Sequence, residues 1–275
     1  MEIIRKFYFF VNNYCNLNCE LCCELCNIPF NKDSSWIERR RKWDVSLDEV
    51  RLFCERFKGM SNHKMVTLMG GEPTALPLTK LHAIINIMDD YHRKIELFTN
   101  GYNLFAIDKT HLNKCFKVTL VDHGINHAHI MRCKEYLKTF YEGNVRHKRV
   151  LYHYDLDTIR KLPINKGKRC QTTIMKSKVE IALQKGVVYP CFAMTSFEKL
   201  NNTTKLSEEL INAGWFLKNP SLIETIRDFK HTLPDYVMDQ CLNNCPCPND
   251  SALPGEKITL KPHDVIEKTT SRACR

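Results

Sequence analysis

The sequence predicts an α/β fold: a parallel sheet with crossover helices, closing into a barrel or part of one, followed by a small cysteine-rich appendage. Two observations carry this. Short apolar runs bounded by turn residues alternate with amphipathic stretches of helical length. The alternation then stops at a lysine-rich connector, DLDTIRKLPINKGKRC, at 155–170. The chain of 275 residues can bury such a core without disulfides. Two units are expected, 1–160 and 161–275.

Strands are expected at 7–12, 65–69, 95–98, 117–121 and 150–154, and helices at 46–57, 78–92, 103–115 and 128–141. In the first helix Ser46 and Glu49 form a capping box, and Leu47, Val50, Phe53, Cys54 and Phe57 make one apolar face. Beyond the connector, VEIALQKGVVYPCF (179–192) predicts a hairpin turning at Lys185 and Gly186. Helical segments near 206–217 and 221–231 follow, and then the turn CLNNCPCP.

The first residues carry one basic pair and an apolar run too short for a signal peptide or a membrane span, so a cytoplasmic chain with no membrane contact is expected. In a reducing compartment, clustered cysteines favour metal or redox chemistry over disulfides. The fourteen cysteines exceed what core packing needs. The formal charge of +10 attracts acidic proteins, phosphorylated substrates or nucleic acid without choosing among them. The basic runs ERRRK (38–42) and RHKR (146–149) read as solvated loop faces.

Five cysteines crowd the stretch CNLNCELCCELC at 15–26. Cys15, Cys19 and Cys22 supply three thiolates from one loop, which suits a four-iron cluster with one iron left open. A zinc site using Cys19/Cys22 and Cys23/Cys26 is the alternative, disfavoured because adjacent Cys22 and Cys23 splay apart. GGEP (70–73) and FTNG (98–101) follow the second and third strands. These are C-terminal strand ends, where parallel (β/α) sheets gather ligand groups. Gly70 and Gly71 permit close backbone approach to a ligand, and Glu72 offers an acceptor for an ammonium group. Asn100 adds a donor and an acceptor.

In this combination and order, the sequence resembles the radical S-adenosylmethionine (radical SAM) enzymes from the first strand to about residue 155. The resemblance implies a partial (β/α)5-6 barrel and a 4Fe-4S cluster held by Cys15, Cys19 and Cys22. It further implies that Gly70, Gly71 and Glu72 contact the methionine amino group of S-adenosyl-L-methionine. Asn100 lies at the next strand end, and Asp122 and His123 stand where relatives place a contact to the cofactor ribose, with a plain loop role for His123 as the alternative. Cys23 and Cys26 fall outside the pattern. The chemistry would come from the cofactor, a 5′-deoxyadenosyl radical that abstracts a hydrogen atom.

Cys170, Gly186 and Cys191 match the opening of the SPASM and twitch extensions of this family, with a zinc site as the alternative. They imply a second, auxiliary 4Fe-4S cluster held by Cys170, Cys191 and two of Cys241, Cys245 and Cys247, with Cys241 and Cys245 the preferred pair. Cys54, Cys115 and Cys133 read as core packing. The layout is similar to 2-deoxy-scyllo-inosamine dehydrogenase-like twitch enzymes, which implies an oxidation or rearrangement of a small polar metabolite. Asn165, Lys166 and Gly167 lie where some relatives anchor substrate or cofactor, although lysine lacks the bidentate fork of arginine. Other readings are maturation of a ribosomally made peptide, RNA modification, and a zinc protein that binds nucleic acid. The zinc protein leaves GGEP and FTNG unexplained, and nucleic acid is a possible but not favoured partner. An acidic flavodoxin or ferredoxin is the expected electron donor for a basic face.

Overall fold

A computed structural model describes residues 4–17, 43–58, 65–149, 179–191, 194–195 and 204–243, the side chains of 5 and 241–243 excepted. Five strands and four helices alternate first: β1 (Ile4–Asn12), α1 (Leu47–Arg56), β2 (Met65–Gly70), α2 (Leu78–Asp90), β3 (Lys94–Thr99), α3 (Lys109–Lys114), β4 (Cys115–Asp122), α4 (His127–Lys138) and β5 (Asn144–Arg149). A hairpin, β6 (Val179–Gln184) and β7 (Val187–Tyr189), and the helices α5 (Lys205–Asn212), α6 (Leu222–Arg227), α7 (Phe229–Thr232) and α8 (Asp235–Asn243) follow. The seven strands form one sheet in the order β5-β4-β3-β2-β1-β6-β7. β1 to β6 run parallel and β7 is antiparallel to β6. The hairpin beyond the connector thus extends the sheet of the first unit through β1.

Alternation along the strands separates two faces. Phe7, Phe9 and Val11 of β1 are buried on the helix-covered side. There Phe7 meets Phe53 and Phe57 edge-on, with centroids 5.5 and 5.0 Å apart. The expected capping box is present: the Glu49 backbone N–H donates to Ser46 Oγ at 3.1 Å, and the Ser46 N–H donates to Glu49 Oε2 at 3.1 Å. Cys54, Cys115 and Cys133 are buried as expected, and burial pushes their thiols up to about 11, 12 and 11.

The opposite face, the interior of the partial barrel, is polar low down. Glu96 of β3, 1% exposed, lies 3.1 Å from Lys6 Nζ and 3.0 Å from Lys117 Nζ, and accepts from Thr67 and Thr119 hydroxyls at 2.6 and 2.7 Å. Burial alone would raise this carboxyl, but the hydrogen bonds and the two lysines outweigh it and hold it at about 2.

Three expectations are corrected. A strand lies at 144–149, so RHKR is strand and not loop; pairing with β4 suffices to hold it although all six residues are exposed. The strand expected at 150–154 lies outside the described residues. The helix expected over 103–115 is a 3₁₀ turn (Leu104–Ala106) and then α3, because Asp108 caps a fresh start by accepting from the Thr110 N–H. The segment at 206–217 stops at 212, where Gly214 with φ +86° turns the chain, and 221–231 divides at Asp228 into α6 and α7.

Candidate cofactor site at the C-terminal strand ends

The ends of β1, β2 and β3 meet around one carboxylate. Glu72, 1% exposed, follows β2. Its Oε1 accepts from the Thr74 N–H at 2.9 Å, the Thr74 hydroxyl at 2.7 Å and the Thr99 hydroxyl, and its Oε2 accepts from the Asn100 N–H at 2.7 Å. Complete burial pushes this carboxyl above its usual range, with the four hydrogen bonds pulling the other way. No lysine or arginine pairs with it among the described residues.

Gly70 and Gly71 prove necessary for a neighbour within the chain. A Cβ on Gly70, whose φ is +144°, would meet Asn12 O, and one on Gly71 would meet Tyr14 O. The backbone leaving β1 lies directly over them. The Gly71 N–H donates to Asn12 O at 3.0 Å and the Glu72 N–H to Tyr14 O at 2.8 Å, while Asn12 Nδ2 donates to Glu72 O at 2.7 Å. The start of the cysteine loop is thereby stitched to the GGEP turn.

Asn100 completes the joint. Its Nδ2 donates to Cys15 Sγ at 3.4 Å and to Asn16 Oδ1 at 2.9 Å, and its Oδ1 accepts from the Tyr102 N–H at 3.0 Å. The Leu17 N–H also approaches Cys15 Sγ at 3.4 Å. Two N–H groups aimed at one sulfur stabilise a thiolate, the form that ligates metal. The loop's base is closed as well: the Asn13 N–H donates to Trp43 O at 3.2 Å, the Trp43 N–H to Asn13 Oδ1 at 2.7 Å, and the Val45 N–H to Val11 O at 2.9 Å. Cys19, Cys22, Cys23 and Cys26 lie between these ends, outside the described residues.

Sequence reasoning missed Asn126, Thr74 and Thr99. Asn126, 8% exposed, donates through Nδ2 to Asn100 O and Val121 O, both at 3.0 Å, and accepts from the His123 N–H at 2.8 Å. It ties β3 to β4. A lone asparagine between two histidines before a helix gives only an N-cap signal, and here its side chain serves the strand ends instead. His129 Nε2 lies 2.7 Å from Gly101 O, so α4 braces the same turn.

Asp122 sits apart from this group. On β4 it shares the helix-covered face with Val118 and Leu120. Its Oδ1 accepts from the Gly124 N–H at 2.8 Å, and its Oδ2 faces His127 Nδ1 at 2.6 Å and His147 Nε2 at 3.1 Å. Burial raises this carboxyl, but those partners outweigh it and hold it below the usual range.

Of the second cysteine set, Cys191 is half-buried just past β7. Its charge contributes, after burial and Glu180, to raising the Tyr8 phenol on the barrel interior. Cys241 falls in the last turn of α8, while Cys170, Cys245, Cys247 and Lys166 lie outside the described residues.

No family model matches the sequence, and no curated protein matches it either. The structure matches that of BtrN in complex with AdoMet and 2-DOIA at 17% identity with a TM-score of 0.50, over 94% of this chain and 98% of that one. The fold is the radical SAM partial barrel. Native anSMEcpe with bound AdoMet and Cp18Cys peptide is similar at 12% identity and a TM-score of 0.42, over 74% of this chain and 83% of that one. Streptococcus suis SuiB bound to S-adenosylmethionine is similar at 12% identity and a TM-score of 0.40, over 75% and 48%. Within the radical SAM partial barrel, the residues gathered here occupy the mouth formed by the strand ends. No helix among the described residues is long and apolar enough to cross a membrane.

Proposed function

We propose that this chain is a radical SAM enzyme that oxidises or rearranges a small polar molecule. One observation carries the reading: the Cys15 thiol, the Gly-Gly-Glu turn and Asn100 form a single hydrogen-bonded joint at the mouth of the barrel. The residues suit the groups they would hold. Cys15 has two N–H donors for a cluster thiolate, and Glu72 supplies negative charge that no described cation cancels, beside which the ammonium and sulfonium of S-adenosylmethionine are favourable.

Cys15, Cys19 and Cys22 would hold the first 4Fe-4S cluster. Gly70, Gly71, Glu72 and Asn100 would shape the methionine end of the site. Because the Asp122 carboxylate is taken by Gly124, His127 and His147, the ribose contact falls to His123. When bound, cluster and cofactor together supply a 5′-deoxyadenosyl radical able to abstract hydrogen from an unactivated carbon. Cys170, Cys191 and two of Cys241, Cys245 and Cys247 would hold an auxiliary 4Fe-4S cluster; the influence of Cys191 on the Tyr8 phenol supports a cluster that would lie beside the barrel interior and would accept an electron from substrate. The similarity to BtrN, whose structure holds 2-DOIA, supports a small polar substrate. The exposed basic strand Asn144–Arg149 suits docking of an acidic electron donor such as a flavodoxin or ferredoxin.

Anaerobic reconstitution followed by iron and sulfide determination tests the reading, together with 5′-deoxyadenosine formation under reducing conditions. About eight irons per chain are expected for two four-iron clusters, and about four after Cys15, Cys19 and Cys22 are replaced by alanine. Zinc without iron would overturn it.

A further inference from the structure

We propose that Asp122, His127 and His147 form a divalent transition-metal site on the helix-covered face, built without a thiol ligand among the described residues. The residues come from three elements: the end of β4, the first position of α4, and the edge strand β5. One ligand atom of each of the three side chains lies within 4.8 Å of those of the other two. Both rings aim at the same carboxylate oxygen, from 2.6 and 3.1 Å.

An ion bonded at roughly 2.0–2.2 Å to two imidazole nitrogens and one carboxylate oxygen fits between atoms so spaced after small shifts. The second Asp122 oxygen is held by the Gly124 N–H at 2.8 Å, the kind of outer hydrogen bond that fixes a ligating carboxylate. The Asp122 side chain is fully buried, while those of His127 and His147 are 51% and 27% exposed. The ion therefore has an entry path and room for solvent ligands. Two imidazoles and one carboxylate select borderline ions such as Zn²⁺ or Fe²⁺ over Mg²⁺ or Ca²⁺, which want oxygen ligands.

Such an ion would fasten β5, whose six residues are all exposed, to β4 and to the start of α4. His127 also follows Asn126, which holds β3 and β4 together at the mouth. The site would brace the candidate cofactor pocket from outside without touching its contents.

The test uses full-length protein reconstituted anaerobically with iron and sulfide, passed over a chelating resin and titrated with Co²⁺ or Zn²⁺. One equivalent beyond the iron is expected. The Co²⁺ spectrum should show nitrogen and oxygen ligation with no thiolate-to-cobalt charge transfer, and Zn²⁺ should raise the thermal midpoint. The H127Q/H147Q variant can still donate hydrogen bonds to Asp122, so it should fold with an unchanged metal-free midpoint and lose that equivalent. H82A/H111A, altering the stacked histidine pair elsewhere on the surface, should keep it. No uptake by the wild type, thiolate ligation of the Co²⁺, or full uptake by H127Q/H147Q would each overturn the proposal. The readout does not depend on radical chemistry: a failed cluster assignment would appear as missing iron, with nitrogen and oxygen ligation of Co²⁺ still present.

Discussion

Glu72 and Glu96 are both about 1% exposed, one at the mouth of the barrel and one on its floor, yet the protein treats their charges in opposite ways. Glu96 sits between two lysines and is held at about 2. Glu72 receives backbone and hydroxyl hydrogens but no cation among the described residues, and burial leaves it raised. A carboxylate neutralised by its own chain is structural. One that is oriented but left without a counter-charge is prepared for a cation from outside.

The comparison can be broken by mutation. The largest effect is expected at the thiol that the mouth holds: C15A should abolish 5′-deoxyadenosine formation and lower iron content, measured chromatographically and by iron assay. Next comes E72Q, which turns an N–H donor toward the Asn100 N–H or removes the acceptor of Thr74 and Thr99. It should cost about 1–3 kcal/mol of stability and weaken S-adenosylmethionine binding by roughly tenfold or more, equivalent to about 1.4 kcal/mol per decade, read by calorimetric titration. Equal binding by E72Q and wild type would remove the mouth's electrostatic role. N126A should follow, with a smaller loss of cofactor affinity and increased hydrogen exchange at the amides of 100–102.

E96Q sharpens the other side. Being lowered, Glu96 adds stability that is fully present above its unfolded value of about 4.3 and is lost as pH falls from there to about 2. Glu72, being raised, does the reverse, its contribution present at low pH and declining above the unfolded value. Urea midpoints of the wild type should therefore fall between about pH 4.3 and 2 more steeply than those of E96Q, while cofactor binding by E96Q near neutrality stays unchanged. The smallest effect is expected from serine at Cys23 or Cys26, which should leave S-adenosylmethionine cleavage intact.

β1 to β4, α1 and the hairpin at Lys185 and Gly186 were legible because each buries an apolar face or needs a positive φ, which Lys185 and Gly186 show at +51° and +74°. β5 was not, since a strand of Asn, Val, Arg, His, Lys and Arg has no buried face and takes its structure from β4. The site divides the same way. GGEP and FTNG announced themselves as motifs, but the close contact their glycines permit is with Asn12 and Tyr14 of this chain. Thr74 and Asn126 carry no signal of their own, and Thr99, although it stands inside FTNG, gives no hint of its contact with Glu72, because the value of all three lies in meeting groups that only the folded strand ends bring together. The Asp122, His127 and His147 group required the parallel pairing of β4 with β5, which no spacing in the sequence reveals.

The clasp between Asn13 and Trp43, with the Val45 N–H on Val11 O beside it, brings the two ends of the segment that carries Cys19 and Cys22 to one place next to β1. Cys15 is therefore held at the mouth by hydrogen bonds that belong to the sheet and its turns, so the position of one thiol is fixed by the same strand ends that orient Glu72.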